Sequence, residues 1–173
     1  MKGTAVCLAA VLFAAAAVGC GESSLPAAAA CTAPTPTPTA GPGQAGSGSA
    51  SRYLRTVQDG TGRLTLALTT FRGVYPDRTF YRSSQFRGDF VNYAGQATCT
   101  ATALSALNLA ANAPSRFKDF DATFKATLKD YAAAINQGRD AVAQRNTSKY
   151  RDWWDSMDAL ELRIQAALQA LQN

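Results

Sequence analysis

From Tyr150 to Leu171 the apolar residues Tyr150, Trp153, Met157, Leu160, Ile164, Ala167 and Leu171 recur at alternating intervals of three and four. Only an α-helix brings side chains with that spacing onto one face, and a seam that long must be covered by other helices. A second stretch repeats the pattern with Phe117, Phe120, Phe124, Leu128, Tyr131, Ile135 and Val142, opening at Pro114-Ser115 and tolerating Gly138 late. A third follows Phe86, Phe90, Tyr93, Ala97, Leu104 and Ala111, and its many Ala and Thr residues imply a closely approaching neighbour. The segment from Ser51 to Phe71 reads two ways. Leu64, Leu66 and Leu68 alternate as in a half-buried strand behind the turn-like "DGTG", whereas Tyr53, Leu54, Val57, Leu64, Leu68 and Phe71 fit a helix. A single strand among helices would have no partner, so we expect a helix that kinks or begins late at Gly60 and Gly62. The expected fold class is all-α: an up-down-up-down four-helix bundle over residues 51–173, connected near 73–83, 112–115 and 145–148.

The first fifty residues differ. Residues 21–50, "GESSLPAAAACTAPTPTPTAGPGQAGSGSA", hold almost no large apolar side chain and cannot offset their ordering entropy by burial. With the preceding Cys20 they are expected to form a disordered linker over residues 20–50, extended where Pro and Thr alternate and coil-like at the Gly/Ser end. Ahead of it, Met1-Lys2 and the apolar run Ala5–Gly19 have the layout of a signal peptide over residues 1–19, too short to span a bilayer. "AVGC" at 17–20 resembles the bacterial lipobox, although Ala17 stands where Leu is more usual. The resemblance implies lipidation at Cys20 and a bacterial, extracytoplasmic protein held to a membrane through its N-terminal lipid. Cleavage would remove Cys7 and lipid would occupy Cys20, which leaves Cys31 and Cys99 as the pair able to form a disulfide. That bridge would close a loop of about 68 residues, worth about 4 kcal/mol in the chain-entropy account. The alternative is Cys99 as a small packing residue with Cys31 free.

The chain contains no histidine. His-based triads, most zinc sites, His-ligated haem and Glu-x-x-His di-iron centres therefore have no ligands here. No cofactor is implied, and no catalytic constellation stands out, so the chain reads as a protein that is not an enzyme. Asp152, Asp155, Asp158 and Glu161 recur every three residues, but a rigid helix converges carboxylates on a metal poorly. They read as a solvated helix face, with Asp155 four residues after Arg151.

The formal net charge is +5, and its placement is uneven. Between residues 51 and 90 the bases Arg52, Arg55, Arg63, Arg72, Arg78, Arg82 and Arg87 face only Asp59, Asp77 and Asp89. Such an excess suits an anionic cell-envelope polymer, a glycan-bearing ligand or a partner protein, and in an exported protein it does not point to nucleic acid. In an up-down-up-down bundle the first and third connections share one end. There Arg72, Tyr75, Arg78, Tyr81, Arg82 and Arg87 would meet Lys149, Arg151 and Trp154 in a basic-aromatic tip. Two readings of the tip stay open: a ligand-binding surface, or an aromatic plug with the arginines lying over it.

"APSRFKDFDATFKATLKDYAAAINQG", following a Pro/Thr-rich stalk and a lipobox, resembles the helical-bundle lipoproteins of bacterial genomes, whose third helix typically opens with Pro, a small residue, Arg and an aromatic, as Pro114–Phe117 does here. The resemblance implies the fold and carries over no catalytic residue. The expected function is a membrane-tethered extracytoplasmic binding or interaction module; the alternative is a passive spacer lipoprotein with no small-molecule ligand.

Overall fold

The computed structural model describes residues 47–171. The expected signal peptide, the lipidated Cys20, Cys31 and the linker as far as residue 46 lie outside the described residues. Within them the chain forms four α-helices and no strand: α1 Ser47–Val74, α2 Ser84–Ser105, α3 Ser115–Ala143 and α4 Thr147–Ala170. None of these is long and apolar enough to cross a membrane. Helix α1 packs on α2, α2 on α3 and α3 on α4, while α1 and α4 touch more sparingly.

Helix α1 is continuous through Gly60 and Gly62, so neither the strand alternative nor the late start holds. Leu64 and Leu68 are buried, but Leu66 is 65% exposed, as a helical period requires and a strand face would not. Gly60 lies directly against Leu104, leaving no room for a side chain, whereas Gly62 faces open space. The helix also begins four residues inside the expected linker, because Ala50 is buried against Ala113 and Phe117 in a small cluster that closes this end. Packing there outweighs the poor helix propensity of a Gly/Ser-rich stretch.

Helix α2 ends earlier than its stripe suggested. The chain leaves the helix after Ser105, and Ala111 sits exposed in the connection to α3. Leu107 and Leu109 still pack on the core from this connection, whose length lets Ala113 reach Ala50. Other ends follow local chemistry. The Ser83 hydroxyl accepts the amide of Phe86 at 3.0 Å to cap α2, and the Asn146 side chain accepts the amide of Lys149 at 3.0 Å to cap α4. Helix α3 closes with the amide of Asn146 donating to the carbonyl of Ala141 and that of Arg145 to Val142, which forces Arg145 to φ 52°.

The main core is one aromatic-rich cluster. Phe86, Phe90, Phe124, Leu128, Tyr131, Ile135, Tyr150, Trp153 and Met157 are essentially without solvent contact. Phe71 stacks on Tyr93 with centroids 5.2 Å apart, and Phe90 meets Trp153 edge to face at 4.9 Å. Gly138 proves to be required where the sequence read it as tolerated. A Cβ there would lie 2.7 Å from Trp153 Cδ1 and 2.8 Å from Phe90 Cζ, so the bare backbone makes the slot that the Trp153 indole fills.

Candidate functional site

The first connection and the start of α4 do meet. Phe80 and Tyr150 lie 5.8 Å apart edge to face, and Arg78 Nη2 pairs with Asp155 Oδ1 at 2.8 Å. Arg72, near the end of α1, lies 4.3 Å above the Trp154 ring, donates to the Trp154 carbonyl at 3.1 Å and pairs with Asp158 at 2.6 Å. These contacts lay the end of α1 and the first connection against the start of α4.

Their side chains are committed differently from what a ligand surface needs. Tyr75 and Trp154 are each only 7% exposed, and Phe71, Phe80, Phe86 and Tyr150 complete a closed aromatic plug. The Tyr75 hydroxyl donates to Asp89 at 2.7 Å; burial first, and that carboxylate second, pushes its pKa up to about 12. Tyr81 is half-buried against Tyr75 and Phe86 and donates to Asp77 at 3.1 Å. Asp77 also accepts the amide of Thr79 at 2.9 Å, and that backbone bond is the main cause holding its carboxyl below the usual range. The turn is therefore built by its own side chains.

The carboxylates of α4 are where the sequence reading needs correcting. Asp155 does not turn to Arg151 but to Arg78, and Asp158 to Arg72, so two of the four acids neutralise the predicted binding arginines. Glu161 is half-buried; desolvation raises its pKa, with Asp158 adding to the rise and Arg72 opposing it. Arg72, Glu161 and the buried hydroxyls of Tyr93 and Tyr131 form one electrostatic neighbourhood within the helices. Tyr93 and Tyr131 read as seam residues from their spacing, and nothing in a single-sequence pattern marks hydroxyls that will face each other across two helices.

What stays in water at this end is charge without aromatic partners. Arg82, Lys149 and Arg151 are exposed and Arg87 partly so, and none of the four makes an ion pair among the described residues. Lys149 reaches only the neutral Gln144 side chain, at 3.2 Å. Of the nine residues predicted for binding, these four are cations with no ion pair among the described residues; Arg78 is also exposed but paired with Asp155, and Arg72, Tyr75, Tyr81 and Trp154 are engaged in contacts within the protein.

A concavity lies elsewhere. A groove of about 680 Å³ runs between α1 and α2, with Phe71, Tyr75 and Tyr93 along its floor and Leu66, Val74 and Cys99 among its walls. Leu66 and Val74, 65% and 59% exposed, are two of the three exposed large apolar side chains among the described residues. Cys99 is disulfide-bonded, and its partner lies outside the described residues, since Cys99 is the sole cysteine among them. Among the described residues no group of three or more His, Cys, Asp or Glu side chains could hold a metal ion. No protein-family model, curated protein or solved structure matches the chain.

Proposed function

We propose that this is a lipid-tethered, extracytoplasmic interaction module, an up-down-up-down bundle that meets anionic envelope polymer through the cationic rim at one end. The observation that carries the reading is the separation just described. The plug aromatics and Arg72 are engaged within the protein and Arg78 is paired with Asp155, whereas Arg82, Arg87, Lys149 and Arg151 make no ion pair among the described residues. Such a rim offers exposed charge to a partner. Its contact with a polyanion is electrostatic, strong at low salt and weakened as the Debye length shrinks. The bridge between Cys31 and Cys99 belongs to the same reading, because a disulfide persists where an exported protein works.

The test is retention of the full chain on an immobilised polyanion such as polyglutamate across a salt series. A variant with Arg82, Arg87, Lys149 and Arg151 changed to Ala is expected to elute at much lower salt. An equal-charge control with Arg55, Arg116, Lys118 and Lys129 changed to Ala is expected to behave nearly as the parent does. Equal loss in both variants would refute the rim as the contact surface. The second reading, a passive spacer, is favoured by the closure of the aromatic plug, and it predicts no retention of the parent protein at physiological salt.

A further inference from the structure

We propose that the bundle interior binds a water molecule among Arg72, Tyr93, Tyr131 and Glu161, one residue from each helix, and that this water joins α1 to α4 where the two helices touch sparingly. The Tyr93 and Tyr131 hydroxyls, Arg72 Nε and Glu161 Oε1 are buried, and none of the four atoms has a hydrogen-bond partner among the described residues. Their side chains converge. Tyr93 and Tyr131 each feel the other as well as Arg72 and Glu161, and Glu161 in turn feels Arg72, with the Thr65 side chain of α1 beside it. A buried donor or acceptor left unmade forfeits its full hydration, and native interiors satisfy such groups with protein atoms or with ordered water. Four of them gathered at one place therefore call for a shared partner.

The side chains are too firmly held to supply the missing bonds themselves. Arg72 is pinned by Nη1 on Asp158 at 2.6 Å and by Nη2 on the Trp154 carbonyl at 3.1 Å, which fixes the direction of Nε. The Tyr93 ring is clamped by Phe71, Phe90 and Trp153, with centroids at 5.2, 5.8 and 6.0 Å, and Tyr131 is wholly buried. The two hydroxyls face each other but miss hydrogen-bond geometry. Charge then selects the occupant. Arg72 repels a cation and the Glu161 carboxylate repels an anion, so the bound species is neutral. It must accept from Arg72 Nε and donate to Glu161 Oε1, while each tyrosine hydroxyl can do either. Water does both from a single oxygen and is small enough to stand between hydroxyls that influence each other. Its way in is the seam between α1 and α4, where the Arg72 and Glu161 side chains stay partly open to solvent.

The test uses the full chain and does not depend on the cationic rim. A high-resolution crystal structure is expected to show one water within about 3.2 Å of at least three of the four atoms. In solution, nuclear Overhauser cross-peaks should connect a long-lived water to the ring protons of Tyr93 and Tyr131. Tyr93→Phe and Tyr131→Phe each keep the ring and remove one partner of the water, so each should weaken the cross-peaks at the remaining tyrosine several-fold. Tyr75→Phe, which removes a hydroxyl already held by Asp89, should leave them unchanged. A structure in which the four atoms bond to one another with no water between them overturns the inference. So does an ion or a larger molecule at that position, and so do cross-peaks of equal strength in the parent and both core variants. The parent crystal structure decides the point even where a variant fails to fold.

Discussion

Changing Gly138 to alanine opposes two effects of known sign. An alanine in a helix interior is favoured over glycine by about 1 kcal/mol. Against that, the new methyl would approach Trp153 Cδ1 to 2.7 Å, with Trp153 Nε1 and Phe90 Cζ each at 2.8 Å. Those atoms belong to rigid rings, and Phe90 and Trp153 are buried from solvent, so neither can swing aside. Overpacking of this kind costs about 1–3 kcal/mol. The net for Gly138→Ala alone could fall near zero, which is why Gly62→Ala is the necessary companion. Gly62 is also inside a helix, but nothing lies within 4 Å of its Cβ position. The propensity gain is common to both variants and cancels in the comparison. Urea unfolding followed by far-ultraviolet circular dichroism is therefore expected to place Gly138→Ala about 1–3 kcal/mol below Gly62→Ala. If the two variants were equally stable, the slot between Trp153 and Phe90 would not be the reason for glycine at 138.

Other outcomes follow from the same coordinates. Arg72→Ala removes the Asp158 pair and the cover over Trp154; we expect a loss of about 1–2 kcal/mol, discounted because Asp158 is nearly half exposed. Arg72→Met should cost less in the same urea experiment, since it keeps the packing over the indole. Arg145→Gly relieves a non-glycine residue at φ 52° and is expected to raise stability by up to about 1 kcal/mol. In alkali, the hydroxyls of Tyr75 and Tyr131 ionise near pH 12 in the folded protein against an ordinary 10, with burial the main cause in both. The folded state holds these protons more tightly, so their contribution is fully present below pH 10 and is lost as the pH rises toward 12. Phenolate absorbance should accordingly lag in the native protein and jump on unfolding. Glu161 has the same direction of shift at acid pH. Glu161→Gln should therefore raise the melting temperature at pH 7 and leave it unchanged where the carboxyl is already protonated in both states.

The helical pattern was open to reading because periodicity depends only on the chain. Tyr150, Trp153, Met157, Leu160 and Ile164 fall on the buried face that their spacing marks, and Ser83 caps the helix it precedes. The boundaries were less accessible. Ala50 extends α1 and Leu104 sits against Gly60 through partners more than forty residues away, and no local preference encodes them. The end of the bundle shows the same division. Its composition, arginine among aromatics beside a second such cluster, could be read directly. That Arg78 and Arg72 would meet Asp155 and Asp158 could not, because those carboxylates look like a solvated face until α1 is laid beside α4.

Taken alone, the order of residues settles which surfaces must be hidden: three apolar stripes of helical spacing, a fourth disguised as alternation, and no histidine for the chemistries that need one. Those are properties of the period and of composition, and they hold in any arrangement of the helices. Which charges remain free, which glycine is indispensable and where the open groove lies depend on distances between segments far apart in the chain. Electrostatic pairing and steric fit act through space, so Arg72 becomes a cover for Trp154 and Gly138 a slot for Trp153 only once the helices are assembled.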